Sequence, residues 1–187
     1  MLNRKIVILF SGEGSNLLAI IEKLHRKELE VVAAITNRPD AGGIAKARAH
    51  HLPVHIIDHT LYADRESFDR ALLKQIQAYS PDLVVMAGFM RILTPIITEN
   101  IKAINVHPSL LPLFKGGKAI KESFESAEPT GGISVHWVSS ELDSGEIIAQ
   151  EAFSKEADET LESFSEKIRI LEHTLLPKTI VQILKAL

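Results

Sequence analysis

Five short runs rich in Val and Ile, at Ile6–Phe10, Val31–Thr36, Val54–Ile57, Leu83–Ala87 and Ala103–Val106, alternate with longer stretches of helical period. This alternation is the feature that most limits the fold. Apolar runs without polar interruption suit strands covered on both faces, and crossovers of helix length return each strand parallel to the last. The intervening helices are predicted at Asn16–Arg26, Ile44–His50 and Glu66–Tyr79. In the last, Leu72, Leu73, Ile76 and Tyr79 fall on one face. The class is α/β: an open, mostly parallel twisted sheet with helices on both sides.

Beyond Val106 the pattern changes. A Pro- and Gly-containing loop runs from Pro108 to Gly117, and a helix is predicted near Ala119–Ser126. Two later strands are predicted at Ile133–Val138 and Ile147–Ala152. The first reads Ile-Ser-Val-His-Trp-Val, and its apolar alternation predicts a half-exposed strand. A terminal helix over Leu161–Leu187 presents Phe164, Ile168, Leu171, Leu175 and Leu176, with Pro177 expected to bend or split it.

The 187 residues suit one domain with a sizeable core. With 21 Lys+Arg against 24 Asp+Glu, the net charge of -3 supplies no field that would draw the chain onto nucleic acid, so an anionic ligand needs a local site. The absence of cysteine excludes disulfides, thiolate metal sites and cysteine nucleophiles, and suits a reducing compartment. No apolar run reaches the roughly 20 residues that span a bilayer, and Lys5–Phe10 is too short for a signal core. A cytoplasmic protein without a membrane partner is expected.

Directly after the first strand stands Ser11-Gly12-Glu13-Gly14-Ser15-Asn16, leading into Leu17, Leu18, Ile20 and Ile21. A Gly-rich turn that points backbone N–H groups at a helix start is an anion site, and Ser15 and Asn16 either cap the helix or bind the phosphate. A dinucleotide fingerprint fits in part only, because Leu17 replaces its third Gly and Thr36-Asn37-Arg38 closes the second strand without an acid. A Walker A loop is absent. A tight turn that binds nothing is the bland alternative.

Asn105 and His107 flank Val106 at the end of the fifth strand and so project to one side. The carboxyl ends of parallel strands are where open α/β sheets bind ligands. An amide beside an imidazole offers a donor to a developing oxyanion and a proton-transfer group. Asp143, in the polar run Ser139–Gly145, reaches His107 if that loop folds back, and a carboxylate there favours the imidazolium. Simple hydrogen-bonded burial is the competing reading for His107, and applies equally to His136. The histidines lack the close spacing of a zinc site, and no metal is expected.

Taken together, Ser11–Asn16, Ala87-Gly-Phe-Met-Arg-Ile-Leu93, Asn105-Val-His-Pro-Ser-Leu-Leu-Pro112 and Ser134-Val-His-Trp-Val with Glu141-Leu-Asp-Ser-Gly145 resemble glycinamide ribonucleotide transformylase, the folate-dependent phosphoribosylglycinamide formyltransferase family. The resemblance runs over nearly the whole chain. It implies a single formyltransferase domain over 1–187 on a Rossmann-like formyltransferase fold, with a ribonucleotide-phosphate half at about 1–100 and a folate and catalytic half at about 101–187. It further implies formyl transfer from 10-formyltetrahydrofolate, as co-substrate, to glycinamide ribonucleotide (GAR) in purine synthesis, by a monomer or homodimer that binds small molecules and no nucleic acid.

By the same resemblance, Asn105, His107 and Asp143 form the catalytic group. Gly14, Ser15 and Asn16 with Arg169, Ile170, Leu171 and Glu172 bind GAR. Arg65, Met90, Arg91, Ile92, Leu93 and Asn105, with Ser139, Ser140, Glu141, Leu142 and Asp143, line the folate side. Glu13 stands where the family usually has Asn, and its carboxylate is expected to point to solvent. Ser144 and Glu146 replace commoner Gly or Thr and Pro, and Lys115-Gly-Gly-Lys118 is assigned no catalytic role. The alternatives are another folate-dependent formyltransferase, a formyltetrahydrofolate hydrolase, and a non-catalytic nucleotide-binding module.

Overall fold

The computed structural model describes residues 2–187. In chain order the elements are β1 (Lys5–Phe10), α1 (Ser15–Leu24), β2 (Glu30–Thr36), α2 (Gly43–Ala49), β3 (Val54–Ile56), α3 (Arg65–Gln77), β4 (Leu83–Met86), α4 (Pro95–Thr98), β5 (Ala103–His107), α5 (Ala119–Glu125), β6 (Thr130–Trp137), β7 (Ile147–Ser154) and α6 (Leu161–Ala186). A 3-10 turn at His59–Leu61 links β3 to α3. The strands form one sheet in the order β3-β2-β1-β4-β5-β6-β7. The first five are parallel, and β6 and β7 join antiparallel.

β1 shows why its run is apolar throughout. Ile6, Ile8 and Phe10 enter a core shared with α1, α2 and α6, whereas Val7 and Leu9 enter a second core under α3 and α4. The strand's two-residue period sends successive side chains to opposite faces, and both faces are covered. Each large aliphatic buried this way contributes about 1.5–3 kcal/mol.

Three expectations are corrected. β6 is buried on both faces: Ser134 is 0% exposed and His136 3%. α6 covers one side, and on the other Ser134 Oγ donates to Ser109 O and accepts from Leu111 N, so its polar residues face protein. β6 also starts at Thr130, before the predicted Ile133. Gly131 and Gly132 fall inside this strand and leave no room for a side chain: a Cβ would lie 2.6 Å from the Phe164 ring at the first and 2.4 Å from Glu151 O at the second.

α6 is not split, although Pro177 lies inside it. Proline removes the N–H that would serve the carbonyl four residues earlier. That carbonyl, His173 O, instead accepts from the ammonium of Lys23 on α1.

β1 lies between β2 and β4, so the chain winds outward in both directions from that pair. Crevices in open sheets form outside the carboxyl ends of strands at such a reversal. The loops after β1, β4 and β5 meet there.

Candidate active site

The loop after β1 turns at Gly14, whose φ of 75° is left-handed and open to glycine. Ser11 N donates to Gly88 O, which ties this loop to the one after β4. Gly14 occupies the N-cap position of α1 without a side-chain cap, so Ser15 and Asn16 lie in the first turn and neither caps it. Asn16 Nδ2 donates to Glu172 Oε2 at 3.0 Å, and Asn16 Oδ1 is buried without a partner. Burial raises the Glu172 carboxyl above its ordinary pKa, partly offset by the Asn16 bond. The pair is a set of acceptors facing into the crevice. Glu13 is exposed, as expected, and its carboxylate lies over Gly42 at the start of α2.

On β5, Asn105 pairs in register with His136 on β6. His136 Nδ1 donates to Trp137 O at 2.9 Å, which leaves Nε2 to accept from Asn105 Nδ2 at 3.2 Å. Burial is the main cause of a His136 pKa below 6.5; the Trp137 bond and the Asp143 charge oppose it, and His107 adds to it. His136 is therefore the neutral partner that sets the plane of the Asn105 amide.

His107 is 5% exposed. Its Nδ1 lies 3.4 Å from Asp143 Oδ2, and its Nε2 lies 2.7 Å from Phe114 O. Both nitrogens face acceptors. The loop does fold back: Asp143, with a left-handed φ of 48°, has Oδ1 3.7 Å from His136 Nε2 and accepts the Gly116 N–H at Oδ2, 2.9 Å away. Lys115 Nζ donates to Ser144 Oγ, which joins the same two loops on their outer side.

These groups border a cavity of about 440 Å³. Among the residues singled out by sequence, Asn16, Glu172, Met90, Arg91, Ile92, Asn105, His107, Leu142 and Asp143 line it. Leu93, Ser139 and Glu141 line a recess of about 30 Å³ beside it, together with His136. Gly14 and Ser15 lie next to Asn16 but outside the lining. Arg65, at the exposed start of α3, Ser140, Arg169 (paired with Glu166), the 54%-exposed Ile170 and Leu171 also lie outside both spaces.

Sequence reading passed over Gly116 and Gly117, which line the cavity, and the aligning role of His136. The paired glycines in a loop just after a His-bearing strand were the available signal; a contact between β5 and β6 is not visible in local spacing. Among the described residues no group of three or more His, Cys, Asp or Glu side chains is placed to hold a metal ion, and no helix is long and apolar enough to cross a membrane.

A family model described as formyl transferase matches residues 4–180. The chain is 36% identical over 179 residues to phosphoribosylglycinamide formyltransferase of Escherichia coli (strain K12), covering 94% of this chain and 84% of that protein. It is 37% identical over 180 residues to the trifunctional purine biosynthetic protein adenosine-3 of Bos taurus, covering 94% of this chain but only 18% of that much longer protein. Phosphoribosylglycinamide formyltransferase from Campylobacter jejuni subsp. jejuni superposes with a TM-score of 0.94 at 53% identity, covering 98% of each chain.

Proposed function

The chain belongs to the formyl transferase family, and on that premise we propose that it transfers the formyl group of 10-formyltetrahydrofolate to the amine of glycinamide ribonucleotide, giving formyl-GAR and tetrahydrofolate, a step of purine synthesis. The observation that carries this reading is the convergence of Asn105, His107 and Asp143 on one cavity with an acceptor pair, Asn16 and Glu172, on its other side.

The chemistry needs no nucleophilic side chain. The neutral amine of GAR attacks the formyl carbon, forming the new C–N bond and placing negative charge on the formyl oxygen. Asn105, its amide plane set by His136, donates to that oxygen. Collapse breaks the bond to folate N10, and the proton lost by the amine is returned to N10 through His107. Asp143, like His107 largely buried, orients the imidazole and balances its charge.

In this structure His107 Nε2 meets Phe114 O, so engagement of the formyl group requires that contact to yield, by rotation of the ring or a shift of the 113–117 loop. Gly14, Ser15 and Asn16 with the Arg169–Glu172 turn receive the ribonucleotide. Met90–Leu93 and Ser139–Asp143 receive the folate, and Arg65 pairs with its carboxylates. Holding both substrates in one cavity supplies much of the acceleration.

The test is the absorbance change on mixing the protein with 10-formyltetrahydrofolate, with and without GAR, beside His107→Ala. Deformylation that requires GAR and is lost in the variant is the expected result. Deformylation without GAR identifies a hydrolase, and none at all leaves a binding module.

A further inference from the structure

Met90–Leu93 walls the cavity and its adjoining recess, yet the segment contains no helix or strand residue. Two side chains from elsewhere hold its ends. Met90 N donates to Ser11 Oγ at 2.8 Å, and Ser11 in turn donates to Asn37 Oδ1. At the other end Thr94 N donates to Asp69 Oδ2 at 2.7 Å, across 25 positions of sequence.

Asp69 is the unusual member of this pair. It lies on α3 at 1% exposure, beside Phe68 and Leu72 in the second core. Asp64 caps α3 from an exposed position, which is the ordinary arrangement for a capping carboxylate. Burying an ionisable group for one backbone bond is unfavourable unless the charge has further use. The positive charge that acts on it is Arg91, in the segment itself: its guanidinium carbon sits 5.0 Å over the ring of Phe68, the neighbour of Asp69 on α3, and its Nε is buried without a partner. Consistently, burial raises the Asp69 pKa while the Thr94 bonds and then Arg91 pull it back.

We propose that Asp69 is a positioning residue for the folate half of the cavity: through Thr94 N–H and the charge of Arg91 it holds Met90–Leu93 in the shape that receives folate. This rests on the formyl transfer reading and names the residue that shapes its second substrate's wall. Asp69 touches no substrate. Phe68, one residue earlier on α3, supplies the surface on which Arg91 lies.

Tetrahydrofolate binding by calorimetry, and both Michaelis constants, would be measured for the full chain and for Asp69→Asn, Arg91→Gln and the double variant. Asp69→Asn keeps an acceptor for Thr94 but removes the charge. Its folate KM and tetrahydrofolate Kd should rise about tenfold, while kcat and the GAR KM move much less. In the Arg91→Gln background the same change should matter less than about threefold, because the two act through one unit. An unchanged folate KM, an equal rise in both KM values, or additive effects in the double variant would overturn the proposal. If Asp69→Asn fails to fold, Phe68→Leu removes the surface beneath Arg91 and leaves the carboxylate; its folate KM should rise, and no change would count against the proposal. A wild-type chain that binds no tetrahydrofolate overturns the formyl transfer reading itself.

Discussion

Asn105 Nδ2 donates to His136 Nε2 across the β5–β6 ladder, and the direction is fixed because His136 spends its only proton on Trp137 O. Replacing His136 with Phe keeps the ring volume but frees the amide to rotate. The expected outcome is a fall in kcat of about tenfold, equivalent to about 1.4 kcal/mol of transition-state stabilisation, with substrate binding retained. Single-turnover rates check this; an unchanged rate would show that Asn105 is oriented by something else.

Acid should weaken both activity and stability through the same group. A protonated His136 donates at both nitrogens and presents a donor to the Asn105 amide. Because its pKa in the folded chain lies below 6.5, kcat is insensitive to it above that pH and falls below it. For stability the sign is the same. Between the folded value and 6.5 the unfolded chain binds the proton more readily, so this contribution is complete above pH 6.5 and is lost as the pH drops. His25 and His173, also lowered chiefly by burial, add in the same direction. Glu172, raised by burial, opposes them in a window starting near its ordinary 4.5. Melting temperatures recorded from about pH 7.5 down to about pH 5.5 should decline; a level profile contradicts the assignment.

Gly145 has no room for a methyl group: a Cβ would lie 1.6 Å from Trp137 O. Gly145→Ala must move the loop that carries Asp143, two residues earlier. A loss of kcat of about 100-fold or more is expected, with a melting temperature close to wild type because the loop lies outside both cores. Circular dichroism melts beside turnover assays distinguish this from general unfolding.

Asn16→Ala removes the amide that holds Glu172 and the buried acceptor beside it. The GAR KM should rise about tenfold while the folate KM stays near its wild-type value. Equal increases in both would place Asn16 outside the ribonucleotide side.

Lys23→Met leaves His173 O, already deprived of an N–H by Pro177, without its donor. A drop in melting temperature of about 2–4 °C is expected for a chain of this size, read by calorimetry. No change would mean that water serves the carbonyl equally well.

The parallel half of the fold was legible because its inner strands β1 and β4 are buried on both faces, which forces the unbroken Val and Ile runs; the edge strand β3 is left partly exposed. β6 was misread for a related reason: Ser134 and His136 look like solvent-facing residues in an alternating strand, but each is consumed by a neighbouring element. The convergence of Asn105, His107 and Asp143 on one cavity was expected from residue chemistry at strand ends and family likeness. The supports behind them, His136, Gly116 and Phe114 O, were not, since their relation to the site arises from loop closure. Pro177 was expected to bend or split the terminal helix, but α6 runs through it, and the carbonyl it leaves unserved is met from another helix.

That remedy bears on how one side of the cavity is built. α1 and α6 are fastened twice, by Asn16 to Glu172 and by Lys23 to His173 O. The two helices act as the fixed jaws of a caliper, with Asn16 and Glu172 at the edge of the cavity. The 113–117 and 139–145 loops are tied to each other and to His107 at the end of β5, so the other side of the cavity is set by single side chains rather than by a helix pair.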